Sequence, residues 1–214
     1  MADKITLSKK DRMDVCWRHQ FLQGSWNYER MQNGGWCFAM IPAIKKLYTT
    51  KEDQIAALKR HLEFFNTQPF LATPIMGIIA AMEEKKANGA DIGEDTLSGV
   101  KVGLIGPLAG VGDPIFWGTL RPVLAALGAG IALTGSIVGP LIFFIAFNVI
   151  RLLTNWYGVM YGYDKGTELV EEVGGNRMRY LTEGSSVLGL LVMGALVAKW
   201  TSVNMPMVLS RSEE

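Results

Sequence analysis

The sequence predicts an all-α membrane protein, with amphipathic N-terminal helices followed by broken or re-entrant helices and at least one full transmembrane span. Three observations carry this. From Pro122 to Ile150 there are 29 residues without Asp, Glu, Lys or Arg, against the about 20 apolar residues that a span needs. The stretch GVKVGLIGPLAGVGDPIFWGTLRP, residues 99 to 122, sets Gly99, Gly103, Gly106 and Gly110 at steps of four, three and four. That spacing lines one side of a helix with bare backbone, the surface that lets membrane helices approach closely. The same stretch holds Pro107 and Pro114, which are expected to break the helix. It also holds one carboxylate, Asp113, in an otherwise uncharged run from Val102 to Leu120. Broken helices persist in a membrane where protein or a watery cavity meets the freed backbone groups, and a lone intramembrane acid marks a functional position. A soluble chain would instead make this stretch a glycine-rich loop beside a buried strand.

Composition narrows the classes without deciding among them. Hydrophobic residues make up 49% and charged residues 19% of 214 residues, against about 45–50% and about 25% in average soluble domains. The net charge is +1 and no concentrated basic patch is present to neutralise phosphates, which argues against nucleic acid as a partner. Cys16 and Cys37 stand in no CxxC spacing, so neither a disulfide framework nor a zinc site is indicated. The first residues, MADKITLSKKDRMD, lack the apolar run of a cleavable signal peptide, so insertion is expected to use internal segments.

The elements follow in order. Ser8 with Asp11 makes a capping box, and Met13, Cys16, Trp17 and Phe21 recur at helical spacing, predicting an amphipathic helix that lies on a membrane, on a partner or on its own core. Gly24 and Asn33-Gly34-Gly35 punctuate the chain. Trp36 to Tyr48 is apolar but short for a span, with Pro42 inside it. A third helix starts at Thr50, with Ile55, Leu58, Leu62 and Phe65 as its expected buried stripe. It runs into FFNTQPF, where Pro69 biases Gln68 towards an extended backbone. Asn66, Thr67 and Gln68 there read either as a helix cap with a turn or as neutral donors and acceptors for a sugar hydroxyl.

Phe70 to Met82 suits a half-helix or re-entrant segment, and the polar run Glu83 to Asp95 suits a solvent loop. As one straight helix Pro122 to Ile150 would be about 43 Å long, against a hydrocarbon core of about 30 Å. It must tilt or break at Gly135 or at Gly139-Pro140, and a break is expected, giving a hairpin or one span plus a half-helix. Trp156, Tyr157, Tyr161 and Tyr163 suit an interfacial aromatic belt, with core packing as the alternative. Gly174-Gly175-Asn176 marks a turn, and Gly184 to Ala198 is uncharged, ending at Lys199 and Trp200. Pro206 interrupts the run after that. Residues 1 to 61 hold eleven Lys and Arg against six Asp and Glu, which places the N-terminus on the cytoplasmic side. The domain organisation expected is an amphipathic cytoplasmic or interfacial arm over residues 1–60 and a membrane-embedded transport domain over residues 61–214.

Chemistry of the usual kinds is not indicated. His19 and His61 have no Cys, Asp or Glu at metal-ligand spacing, and a packed or solvated histidine is the plainer reading. Gly110-Val111-Gly112-Asp113-Pro114 matches no phosphate-cradling motif, and no nucleophile-and-base arrangement stands out. Asp113 is open to three roles: a proton carrier, a sugar ligand, or a helix cap ahead of Pro114. No catalytic residue, metal or cofactor is called for. A self-contained channel or proton-coupled carrier using Asp113 is the alternative to a multi-subunit permease, and a soluble enzyme with a glycine-rich loop is the third.

GSWNYERMQNGGWCFAMIPAIKKLY, HLEFFNTQPF, EEKKANGADI and the long run from Gly99 to Ala132 resemble subunit IID of the mannose/fructose/sorbose-family phosphotransferase system. YGVMYGYDKG, LTEGSSVLGL and VMGALVAKWT continue the likeness in the same order, so that it covers nearly all of the chain from about residue 20. The resemblance implies a non-catalytic subunit of a bacterial cytoplasmic (inner) membrane permease. It would pair with subunit IIC, as a trimer of IIC–IID heterodimers, to move a hexose, with mannose favoured, in an elevator-like manner. The IIAB phosphocarrier proteins would phosphorylate the sugar, with phosphoenolpyruvate as the ultimate donor. A substrate-binding role is carried over to Asn66 and Gln68 in the matching NTQP, and to Asp113 and Trp117 in GDPIFWG. Family members continue beyond the point matched by SRSEE with a polar segment and a hydrophobic tail.

Overall fold

The computed structural model describes residues 4–168 and 176–204. Helices are α1 (Lys9–His19), α2 (Asn33–Leu47), α3 (Lys51–Arg60), α4 (Ala72–Ala87), α5 (Glu94–Gly112), α6 (Arg121–Ala132), α7 (Val138–Lys165) and α8 (Asn176–Asn204). A 3₁₀ turn, Pro69–Leu71, precedes α4, and a π-helical segment, Asp113–Leu120, joins α5 to α6. Among the described residues the only β pairing is a pair of isolated bridges through Met31. The chain divides into two units. The first takes residues 1–112 and 150–179, and the second takes residues 113–149 and 180–214.

In the first unit, α1 opens with the expected capping box: the Ser8 hydroxyl accepts from the Asp11 N–H, and the Asp11 carboxylate accepts from the Ser8 N–H at 2.9 Å. Its buried seam is Val15, Cys16, His19 and Leu22, one residue off the expected track. Trp17 and Phe21 are therefore 60% and 63% exposed. Helix α2 buries Trp36, Met40, Ala43, Ile44 and Leu47, and Pro42 sits inside it without ending it. The expected stripe on α3 also differs: Ile55 and Leu62 are exposed, Leu58 is half-buried, and Ala57 and Phe65 are buried. The helix ends at Arg60, so the period that would align Leu62 and Phe65 with Leu58 stops there.

Helix α4 is the centre of this unit. From Ala72 to Ala80 all but Pro74 are buried, and a helix apolar all round is one surrounded by protein. Its far end overturns part of the expected solvent loop. Glu83 to Ala87 are helical, and Glu83 is fully buried. Beyond it Asn88 ties the N-terminal segment down, donating to the Ile5 carbonyl at 2.7 Å and accepting from the Ile5 N–H at 2.9 Å. Across α4 lies the second half of α7, and the contact is made through glycine. A Cβ at Gly77 would meet the Val159 carbonyl oxygen, one at Gly158 the Thr73 side chain, and one at Gly162 the Pro74 carbonyl oxygen. Backbones approach this closely only where both Cβ positions are vacant. In the expected aromatic belt, Trp156 and Tyr157 are exposed while Tyr161 and Tyr163 pack against the core.

Helix α5 buries Leu97, Lys101, Leu104, Leu108 and Val111. The four glycines of the ridge lie on the opposite side, exposed, with nothing within 4 Å of the place a Cβ would take. No helix among the described residues uses that ridge for close approach. Nor does Pro107 break α5. The helix passes through it, leaving the Gly103 carbonyl without its usual donor, and the irregularity falls at Pro114 as the π-helical segment.

In the second unit the run after Pro122 turns at residues 133–137, with Gly135 at φ +82°, so α6 and α7 form the expected hairpin at the first of the two candidate breaks. Gly128 and Gly139 meet across it, and Gly189 of α8 meets the Gly118 carbonyl oxygen in the π-helical segment. The Thr119 hydroxyl lies against the Ser185 carbonyl and 2.8 Å from the Pro114 carbonyl. Two helical stretches, Glu94–Ala132 and Val138–Lys165, are long and apolar enough to cross a membrane. Leu133, Val138, Leu141, Phe144, Ile145 and Val149 are exposed along the second and the turn before it, as lipid-facing side chains would be. Gly174-Gly175 and Pro206 fall outside the described residues, as do the side chains of Lys199 and Trp200.

The α4–α7 contact generates a prediction. In Gly162→Ala the new methyl would overlap the Pro74 carbonyl oxygen, and overpacking of this kind typically destabilises by about 1–3 kcal/mol. Thermal unfolding of the purified protein is expected to shift down by a corresponding amount, and an unchanged midpoint would mean that the two helices are not in backbone contact.

Candidate functional site

The NTQP turn is built by three different attachments. Phe65 seats the chain, its carbonyl accepting from the Gln32 N–H at 2.8 Å. Thr67 is then fastened from both sides. Its N–H donates to Gln32 Oε1 at 3.1 Å, its carbonyl accepts from Gln32 Nε2 at 2.9 Å, and its hydroxyl donates to the Ile105 carbonyl at 2.9 Å. Gln68 has the extended backbone that Pro69 imposes, at φ −59° and ψ 122°. Its Oε1 accepts from the Phe70 and Leu71 N–H groups at 2.8 and 2.9 Å, capping the 3₁₀ turn.

The three polar residues therefore do not stand open together. Thr67 is buried as a fastener, and Gln68 is 1% exposed and caps. Asn66 alone is exposed, with no side-chain hydrogen bond among the described residues. Gln68 nonetheless keeps an unused group, because its Nε2 is buried without a partner. Gly112 of α5 makes room for it, since a Cβ there would lie 2.8 Å from Gln68 Cβ and Cγ.

Two residues near this turn carry further unmet polarity. His19 holds the Pro69 carbonyl through Nε2 at 2.8 Å, which leaves Nδ1 buried and unpartnered. Asn155 of α7 is fully buried with neither amide atom hydrogen-bonded. It lies between Arg151, whose Cζ is 5.9 Å from the Phe70 ring, and Gly158, which meets Thr73. Buried groups of this kind are ordinarily met by water or a ligand. Nothing in the spacing of TNWYGVMYG pointed to Asn155.

The second pair of candidate residues lies in the second unit. Asp113 is exposed inside a continuous helical path, and its carboxylate accepts no hydrogen bond among the described residues, so it does not act as a helix cap. Trp117 is one turn on and 36% exposed, with the Arg121 guanidinium 5.3 Å from its ring centre. π-Helical segments recur at functional sites. Among the described residues no group of three or more His, Cys, Asp or Glu could hold a metal.

A second polar cluster underlies the turn's supporting helices. Glu83 is fully buried and meets Arg60 through two bonds, at 2.7 Å from Nε and 2.9 Å from Nη2. Tyr48 donates to it at 2.7 Å. Trp36 donates to His61 Nδ1 at 3.4 Å, which leaves the ring proton on Nε2, 3.1 Å from Glu83 in a contact too bent for a good hydrogen bond. Arg60 also reaches Glu94 at the start of α5 at 3.1 Å. Burial alone would raise the Glu83 pKa. The hydrogen bonds from Arg60, the His61 ring beside the carboxylate and the hydrogen bond from Tyr48 overcome it and hold the carboxyl at about 2. Burial lowers both histidines, His19 to about 4.

These shifts set the acid stability. A carboxylate held below its ordinary value stabilises the fold fully above about 4.5 and loses that contribution as pH falls towards 2. A histidine kept neutral by burial is protonated first in the unfolded chain, so stability also falls between 6.5 and 4. The melting temperature is expected to drop on acidification over both windows. Glu83→Gln should remove most of the lower one while costing about 3–5 kcal/mol at neutral pH, because Arg60 is left buried without its partner. A melting temperature flat from pH 7 to 3 would contradict this.

Comparison with known proteins follows the same lines. Residues 6–214 match the family described as PTS system mannose/fructose/sorbose family IID component. The PTS system mannose-specific EIID component of Escherichia coli (strain K12) is 60% identical over 206 residues, covering 96% of this chain and 73% of that protein. The fructose permease IID component of Bacillus subtilis (strain 168) is 57% identical over 214 residues, covering 100% and 78%. A chain of the mannose transporter ManYZ, solved by cryo-electron microscopy in complex with microcin E492, superposes with a TM-score of 0.74 at 59% identity, covering 98% of this chain and 77% of that one.

Proposed function

The chain belongs to the IID components of the mannose/fructose/sorbose family of phosphotransferase systems, and we propose that it forms the hexose path of such a permease together with a IIC subunit. A self-contained channel or proton-coupled carrier gives way to this membership. In the proposed assembly IIC–IID heterodimers associate as a trimer in the bacterial inner membrane. IIAB proteins carry the phosphoryl group, and this chain carries out no covalent step. Mannose is the favoured sugar, on likeness to a mannose-specific relative and to a subunit of a mannose transporter. The excess of basic residues over the first 61 positions favours a cytoplasmic N-terminus.

The observation that carries the reading is the NTQP turn. It offers an open Asn66 amide and, beside it, a buried Gln68 amide N–H with no partner. A neutral polyol is recognised by a few well-placed neutral donors and acceptors of this kind in an otherwise apolar setting. Asp113 and Trp117 are assigned a sugar-contacting role of their own, a carboxylate for hydroxyl protons and a ring for the apolar face of the sugar.

Radiolabelled mannose uptake, in cells lacking their own mannose permease, tests this. Uptake ending in sugar phosphate is expected only when the chain is expressed with matching IIC and IIAB partners, and uptake by the chain alone would overturn the reading. Asn66→Ala and Gln68→Ala are expected to weaken the affinity about threefold to tenfold each, the range for one lost hydrogen bond, with the complex still assembled. Unchanged affinity, or loss of assembly, would remove those residues from the site.

A further inference from the structure

Between Val102 and Ile150 the chain has two ionisable side chains, Asp113 and Arg121. Both lie in Glu94–Ala132, one of the stretches fit to cross a membrane. Charges at that depth turn towards protein, towards one another or towards a watery path, because acyl chains cannot solvate them. These two do not neutralise each other, since no ion pair joins them among the described residues. Both side chains are exposed, and the Arg121 guanidinium lies over the Trp117 ring, 5.3 Å from its centre.

The continuous helical path explains the alignment. Residues four apart lie on one side of a helix, so Asp113, Trp117 and Arg121 follow one another along one edge. Helix α8 packs on a different edge, through Gly118 and Thr119, and Phe116 is buried. Along that edge stand an exposed carboxylate at one end, a partly exposed indole in the middle and an exposed guanidinium at the other.

We propose that Arg121 is a substrate-contacting, specificity-determining residue of the hexose path, an inference that rests on the permease reading above. The apolar C–H face of a pyranose covers Trp117. The planar fork of Arg121 presents two parallel N–H donors to a pair of neighbouring hydroxyl oxygens, and Asp113 accepts from a hydroxyl at the other end. Cation–π contact with Trp117 keeps the guanidinium pre-positioned before sugar arrives. A lysine at this position would supply a point charge without the fork.

Equilibrium binding of radiolabelled mannose and of its monodeoxy analogues to the purified complex with IIC tests the assignment. In Arg121→Gln, mannose binding is expected to weaken about tenfold or more while IIC still co-purifies, with Arg121→Lys intermediate. One or two monodeoxy sugars should bind the wild-type complex less well than mannose does, yet bind the Arg121→Gln complex as well as mannose does, because their missing hydroxyl is the one Arg121 holds. Unchanged mannose affinity would overturn the proposal, as would deoxy penalties that are the same in both complexes. Loss of IIC from both variants would make Arg121 an assembly contact instead. If the wild-type complex binds no hexose, the permease reading falls and this inference falls with it.

Discussion

A carboxylate with no exposure to water governs the first unit. Glu83 sits at zero exposure near the end of α4, where an unpaired charge would be costly enough to protonate or to unfold the helix around it. It stays ionised because Arg60, Tyr48 and His61 converge on it from the end of α2 and the end of α3. Arg60 then reaches across to Glu94 at the start of α5. Removing any one partner leaves another buried group unmet, so the ends of four helices are fixed relative to one another by a single charge. The N-terminal segment joins at the next residue, where the Glu84 carboxylate accepts from the Leu7 N–H at 2.6 Å.

From that anchored end, α4 runs through the core to the turn that carries Asn66 and Gln68. Its position at the other end is set by backbone rather than by charge, because Gly77, Gly158 and Gly162 let α4 and α7 touch with no side chain between them. The same closeness sets Gly158, three residues beyond Asn155, against Thr73. Fastening of Thr67 to Gln32 and Ile105, together with Gln68 capping the 3₁₀ turn, fixes the backbone beneath Asn66. A site that discriminates among hexoses through neutral hydrogen bonds needs that rigidity, since each bond contributes little and misplacement forfeits it.

Much of this was legible in the sequence where a local rule acts alone. The capping box at Ser8, the hairpin at Gly135 and the uncharged length of the run after Pro122 follow from hydrogen-bonding groups and charge counts over a few residues. The ordering of NTQP into a cap and an exposed amide was half legible. Pro69 fixes the backbone, but which of three polar side chains turns inward depends on Gln32 and Ile105, far away in the chain. Glu83 was hidden because it heads a polar run, and only tertiary partners make its burial tolerable. Leu62 misled because helical period is informative only while the helix lasts, whereas Ile55 lies inside α3 and is exposed because that helix buries Ala57 instead. Pro107 misled because a proline removes one hydrogen bond, which a long helix can absorb, whereas the wider π turn appeared only at Pro114. Arg121 did have a signal, being the only other charge within a long apolar stretch, but its place over Trp117 required the helical geometry.

In the proposed permease the IIAB partners carry the phosphoryl chemistry, and hexose recognition needs both membrane subunits, with Asn66 and Gln68 contributing this chain's share. Calorimetric titration of mannose into this chain alone, IIC alone and the purified pair tests that most directly. Saturable binding by the pair and by neither subunit alone, weakened when Asn66 is replaced by alanine, is the predicted result. Full-affinity binding by either subunit alone, or by the pair irrespective of Asn66 and Gln68, would contradict it.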